Sequence, residues 1–145
     1  MNTEFRTAAA YARSNGIELC YDTFGNPEAP AVVLIMGLAA QMIAWDEEFC
    51  ATLAARGYRV VRFDNRDAGL STRLDAAGTP NVTAALMAAA QGKRIAAPYL
   101  LRDMADDVIG LLDALGIPTA HVVGARWAAR LARRWQSITP RACAH

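Results

Sequence analysis

Apolar and polar positions along this chain alternate between two periods, and the switches between them lay out its elements. Ala8–Arg13 and Ile17–Phe24 are β-compatible runs on either side of Ser14-Asn15-Gly16. An Asn-Gly pair in that position predicts a tight hairpin, because both residues tolerate the left-handed backbone a two-residue turn needs. Gly25-Asn26-Pro27-Glu28-Ala29-Pro30 then breaks the chain. Two continuous apolar strands follow, Ala31–Met36 and Arg59–Phe63, and between them Trp45, Phe49, Leu53 and Arg56 recur at helical offsets of four, four and three. Strand, helix, strand predicts a right-handed crossover and a parallel pair.

Farther along, the alanine-rich stretch Asn81–Gln91 is helical by propensity. Leu100, Leu101, Met104, Val108, Leu111, Leu112 and Leu115 then recur at three- and four-residue steps. This spacing predicts an amphipathic helix over 101–115, with Arg102, Asp103, Asp106, Asp107 and Asp113 on its solvent side. Gly116-Ile117-Pro118 stops it, and Thr119–Val123 reads as a buried strand entering the turn Gly124-Ala125.

Several of these segments carry loops with a recognisable chemistry. Ala31–Met36 runs into Gly37-Leu38, and Arg59–Phe63 runs into Asp64-Asn65-Arg66-Asp67-Ala68-Gly69-Leu70-Ser71, a D-x-R-x-x-G-x-S pattern. The last strand enters Gly124-Ala125-Arg126-Trp127-Ala128. In that order and at those separations, residues 17–125 resemble the N-terminal half of an α/β-hydrolase, in particular the esterase and lipase-like members that include aclacinomycin methylesterases. The resemblance implies an α/β fold: a truncated α/β-hydrolase in which an N-terminal antiparallel hairpin leads into a mostly parallel sheet flanked by helices. It also implies hydrolysis of a small-molecule carboxylic ester through a serine acyl-enzyme, without a cofactor.

The chain departs from that family at the residue that matters most. In the strand-turn-helix G-x-S-x-G, small neighbours let strand and helix close on a sharp bend that pushes the serine hydroxyl out of the sheet. Here the first glycine, Gly124, and the small Ala125 are present, Arg126 stands at the nucleophile, and Ala128 replaces the last glycine. Met36 likewise stands where the family has histidine. By resemblance the oxyanion donors are the backbone N–H groups of Leu38 and Trp127. The acid and base of the triad follow the nucleophile in chain order. The residues after Arg126 include no Asp or Glu and one histidine, His145. The 145-residue polypeptide is therefore expected to be inactive.

Charge makes the same division. Net charge is +1, but residues 1–125 hold ten Lys and Arg against fourteen acids, whereas residues 126–145 hold five arginines and no acid. This predicts two regions, the hydrolase-like 1–125 and an arginine-rich tail, 126–145, foreign to the family pattern. Arg126, Arg130, Arg133, Arg134 and Arg141 read as a solvated end rather than a nucleic-acid surface. Leu131 and Trp135, four apart, predict a loosely docked helix over 126–136. Back-translated with GC-rich codons and given one thymine after the Ala125 codon, residues 126–145 can be read in the other frame as Ser-Met-Gly-Gly and onward to a His-Pro helix stop. A one-base deletion, or an equivalent sequencing error, is thus one account of the tail. A small α/β binding or regulatory module contacting an acidic partner through that tail is the alternative.

The remaining candidates are weaker. His121 belongs to the strand before the elbow and reads as a core or sheet-end residue. Ser71 reads as a turn or cap serine, and is the first alternative nucleophile to test. Asp64 and Asp67 are expected to pair locally with Arg66. Cys20, Cys50 and Cys143 are odd in number and form no C-x-x-C, which fits a reducing, cytoplasmic setting and neither a disulfide framework nor a zinc site. No metal cluster has ligand spacing. Residues 1–7 show no secretory pattern, and the uncharged run 29–45, interrupted by Pro30, Gly37 and Gln41, reads as strand and loop rather than a membrane span. Neither a membrane nor a nucleic-acid partner is expected, and the oligomeric state is left open.

Overall fold

A computed structural model describes residues 6–37 and 39–125. Leu38, Arg126, Trp127, Ala128, the predicted helix over 126–136, the tail arginines and Cys143 lie outside the described residues. The elements run β1 (Ala10–Ser14), β2 (Ile17–Phe24), β3 (Ala31–Ile35), α1 (Glu47–Ala55), β4 (Arg59–Phe63), α2 (Val82–Ala90), α3 (Leu101–Ala114) and β5 (Ala120–Gly124). Each strand and helix predicted within the described residues is present, with ends moved by a residue or two. Asn15 and Gly16 close the hairpin with φ of 50° and 80°, the left-handed pair that a type I′ turn requires. Helix α1 begins after Asp46 rather than at Trp45, because the Asp46 carboxylate accepts from the N–H groups of Glu48 and Phe49 and fixes the cap there.

The five strands form one sheet in the order β1-β2-β4-β3-β5. β1 and β2 are antiparallel, as are β2 and β4, while β3 is parallel to both β4 and β5. This is the hairpin leading into a parallel sheet that the sequence predicts. Side chains on β3 alternate between two cores. Ala31, Val33 and Ile35 pack with Val61, Phe63 and the α3 residues Met104, Val108, Leu111 and Leu112. Val32 and Leu34 pack with Phe24, Val60 and Cys50 of α1. Helices therefore cover opposite faces, and β3 is apolar throughout because neither of its faces meets water. β5 pairs with β3 alone among the described residues, and Val123 is 40% exposed, so the strand expected to be buried is so only in part, at Ala120.

Three expectations about α3 and its neighbours are corrected. Asp107, assigned to the solvent side, is 2% exposed. Leu100 and Leu101, assigned to the apolar side, are exposed. Arg66 pairs with neither Asp64 nor Asp67; its Nε and Nη2 each meet an oxygen of Asp107 at 2.7 Å. Asp107 is inside because α3 comes down onto the β1 hairpin, where Ser14 Oγ donates to the Asp107 carbonyl at 2.6 Å and Asn15 Nδ2 to its carboxylate at 3.1 Å. Gly110 permits that approach, since a Cβ there would lie 2.1 Å from Ser14 Oγ. Helix α2 forms as propensity predicts, capped by Asn81, but buries none of its residues.

Cys50 supplies a pH-dependent prediction. The residue is fully buried, and burial pushes its thiol from an ordinary 9.0 up to about 11, with Arg62 nearby pulling the other way. Below pH 9 the thiol is protonated in both folded and unfolded chains, and nothing is lost. Between pH 9 and 11 the unfolded thiol ionises first, so stability falls as pH rises, by about 3 kcal/mol in all at 1.36 kcal/mol per pKa step. Urea unfolding across pH 8–11 should show a steeper loss for the parent chain than for Cys50→Ala. Equal slopes would show that Cys50 titrates alike in both states.

Candidate active site

Three loops meet at the carboxyl ends of the parallel strands. From β3 the chain crosses to β4 on one side, and from β4 it crosses to β5 on the other, so the crevice beside β3 is the topological switch point of the sheet. The Met36-Gly37 loop leaves β3 there, the Asp64–Ser71 loop leaves β4, and Gly124-Ala125 leaves β5. The Ala125 N–H donates to the Ile35 carbonyl at 3.0 Å, extending the β5–β3 ladder by one bond. That bond carries Gly124 and Ala125 up beside the end of β3, where Met36 and Gly37 follow.

The β4 loop is built around one carboxylate. Asp64 is 2% exposed; its Oδ1 accepts from the Met42 N–H at 2.7 Å and its Oδ2 from the Leu70 N–H at 2.9 Å. Asn65, also buried, donates from Nδ2 to the Met36 carbonyl at 2.9 Å. Asp67 holds φ at 62° and accepts from the Leu74 N–H. Gly69 lies against Asp64, and a Cβ there would fall 2.1 Å from Oδ2, at a φ of 51° that costs any other residue. Gly69→Ala is expected to lower unfolding stability by about 1–3 kcal/mol from backbone strain, with the displaced carboxylate adding to the loss. Urea titration checks this, and an unchanged midpoint would mean that the loop has another way to close.

The other candidates take up structural positions. Ser71 is buried; its hydroxyl donates to the Asp64 carbonyl and accepts from the Cys20 N–H, which fits the turn reading and leaves no base beside it. His121 lies at the amino-terminal half of β5, half-buried, its ring edge-on to Tyr58 with centroids 6.2 Å apart. It is thus at the wrong end of its strand to serve the elbow. Arg66 sits between the Asp107 carboxylate and the Tyr99 ring, 5.2 Å from the ring centroid, and its hydrogen bonds to Asp107 hold the guanidinium more firmly protonated. Among the described residues no group of three or more His, Cys, Asp or Glu is arranged to hold a metal ion, and no helix is long and apolar enough to cross a membrane.

Sequence reasoning missed the roles of Asp107, Gly110 and Asn65. Asn65 carried a signal in its place inside the D-x-R-x-x-G-x-S run; Gly110 carried only that of a glycine inside a helix.

Comparison with known proteins agrees with this geometry. The family described as alpha/beta hydrolase fold matches residues 30–145. The chain belongs to that family. The match runs on through the arginine-rich residues. Among curated relatives of this α/β-hydrolase, rhodomycin D methylesterase DauP from Streptomyces sp. (strain C5) is 32% identical over 108 residues, 74% of this chain and 30% of the relative. Epoxide hydrolase B from Mycobacterium tuberculosis is 30% identical over 132 residues, 91% of this chain and 32% of the relative. The chain thus spans about a third of the length of these relatives. Among solved structures, the thioesterase domain from the curacin biosynthetic pathway superposes with a TM-score of 0.69 at 27% identity, covering 92% of this chain and 42% of that one. Epoxide hydrolase VrEH1 from Vigna radiata, at 21% identity and a TM-score of 0.70 over 97% of this chain and 37% of that one, shares the fold.

Proposed function

We propose that this α/β-hydrolase chain is the N-terminal part of a serine hydrolase acting on a small carboxylic ester, working in the cytoplasm without a membrane or nucleic-acid partner. In this reading the backbone N–H groups of Leu38 and Trp127 are the oxyanion donors, and Gly124, Ala125 and Ala128 frame the elbow. The 145-residue polypeptide, with Arg126 at the nucleophile position, turns over no ester. The observation that supports the reading is the Ala125 N–H bond to the Ile35 carbonyl, which brings the elbow and the Met36-Gly37 loop to one end of the sheet. Acyl transfer needs that pairing, because a tetrahedral intermediate must meet nucleophile and oxyanion donors at once.

The tail is proposed as the product of a one-base shift after Ala125. Reading the coding DNA around codon 126 tests it: an uninterrupted frame with no serine in the alternative reading removes it. Substrate class is tested on the protein translated from the restored frame, offered a short-chain nitrophenyl ester and a styrene-type epoxide side by side. Ester turnover is expected; turnover of the epoxide alone would move the assignment to the chemistry for which the mycobacterial relative is named. Membership of the family favours a hydrolase over the binding-module alternative. Salt-sensitive capture of an acidic partner that vanishes on deleting residues 126–145 would reverse that preference.

A further inference from the structure

Helix α2 carries its large side chains on the wrong side. Only Ala85 and Ala88 are half-buried, whereas Val82, Leu86 and Met87 are 63%, 66% and 65% exposed. At about 100° per residue the two alanines turn one side of the helix toward the body of the protein, and Leu86 and Met87 fall on the other side. Both ends are nonetheless well defined. Asn81 accepts the Ala84 N–H at the start; at the finish, Gly92 at φ 70° lets the Lys93 N–H reach back to the Ala88 carbonyl. Nine residues are too few to hold a helix in water by propensity, and packing on an apolar face normally supplies the difference. Among the described residues, none covers the side that Val82, Leu86 and Met87 share.

Charge decides what can cover that face. Residues 76–92 carry no charge, and residues 76–102 hold Lys93, Arg94 and Arg102 without an acid. Residues 126–145 would bring five more cations to it, which disfavours them as the cover. A second α2 brings none within the helix. Running antiparallel, it also carries its own Lys93 and Arg94 to the opposite end, roughly 20 Å away and beyond the Debye length of about 8 Å. We infer that α2 is a self-association surface, through which two copies of this chain pair antiparallel about a two-fold axis at Leu86. Leu86 is the midpoint of Val82–Ala90, so the helix is self-complementary about it, as a two-fold interface demands. Val82 of one copy lies opposite Ala90 of the other, Leu86 meets its own copy, and Met87 packs over the short Thr83. Large residues thus meet small ones, which lets the two helices approach closely. The face offers roughly 400–500 Å² per copy, near the ~1,000 Å² total that a specific interface needs, so the dimer is weak and reversible.

The test uses the 145-residue chain in sedimentation equilibrium over a wide range of concentration. A monomer–dimer equilibrium with no larger species is expected, and Leu86→Asp should weaken it at least tenfold. Leu86 is not buried within its own copy, so this variant should keep the far-ultraviolet circular dichroism of the parent monomer. Register is read by cross-linking in a Cys143→Ser background. Leu86→Cys should form an intermolecular disulfide at least tenfold faster than the equally exposed Val82→Cys. The two-fold axis brings the Cα atoms at 86 within reach of a disulfide and keeps those at 82 about 12 Å apart. Equal cross-linking at the two positions would overturn the pairing, as would a dimer that survives Leu86→Asp or association that runs on past two copies. A chain that stays monomeric at every concentration would overturn it too. In that monomer, slow hydrogen exchange at the α2 amides would assign the cover to the chain's own residues.

Discussion

Asp107→Ala is expected to destabilise the fold by about 3–5 kcal/mol, a large share of the roughly 5–15 kcal/mol that holds a domain together. The carboxylate meets Arg66 through both oxygens at 2.7 Å, and the two side chains are only 2% and 9% exposed. Removing the acid leaves a guanidinium that cannot shed its proton inside the molecule, and that uncompensated charge, rather than the value of the pair, is what the substitution measures. Asn15 loses a partner as well, so the hairpin turn loosens from α3 together with the β4 loop. Thermal unfolding should shift down by roughly 10–15 °C for a domain of this size. The double variant Arg66→Met/Asp107→Leu should recover more than half of the loss, since well-packed apolar replacements of a buried pair often match it. A single variant within about 1 kcal/mol of the parent would mean that water reaches Arg66 and that the pair is a surface feature.

That pair also marks where the sequence stops being legible. The positions of β3, β4, α3 and the hairpin follow from local pattern, because apolar period and turn chemistry act within a few residues of one another. Asp107 sits among the acids of α3 and looks like any of them. Its burial is decided by Ser14 and Asn15, more than ninety residues earlier, which meet it only once the sheet has formed. Leu100 and Leu101 err in the opposite direction: the periodicity runs on past the point where α3 leaves the core, and the start of the helix is set by the Asp103 carboxylate accepting the Leu100 N–H. The candidate site divides in the same way. The elbow and the loop after β3 could be found by motif, since glycine and small residues are needed wherever strand and helix turn sharply. Their convergence could not, because it depends on β5 lying beside β3 rather than beside β4. Asp64 shows the limit most clearly. Its motif identifies the loop, but its use as a double acceptor for Met42 and Leu70 appears only in three dimensions.

The largest effect expected of this chain is catalytic: purified 145-residue polypeptide should hydrolyse p-nitrophenyl acetate and butyrate no faster than a buffer containing an equal concentration of unrelated protein. Loss of the serine from a Ser-His-Asp system costs about 10⁶ in turnover, and the members act as a unit, so further losses add little. Arg126 offers no substitute, because a guanidinium stays protonated and has no lone pair to attack a carbonyl carbon. Arg126→Ser should remain inactive too. A serine hydroxyl at pH 7 needs a base within hydrogen-bond reach, and of the two histidines among the 145 residues, His121 is packed edge-on to Tyr58 at the other end of β5. Ser71 already uses its hydroxyl as both donor and acceptor, so Ser71→Ala should alter stability and leave the background rate alone. The restored-frame protein is the positive arm of the same assay: a kcat/KM above about 10⁴ M⁻¹s⁻¹ there, beside none here, would place the difference in the residues that follow Ala125. Enzyme-like turnover by homogeneous 145-residue material, retained in Arg126→Ala, would mean that this fold carries a nucleophile elsewhere.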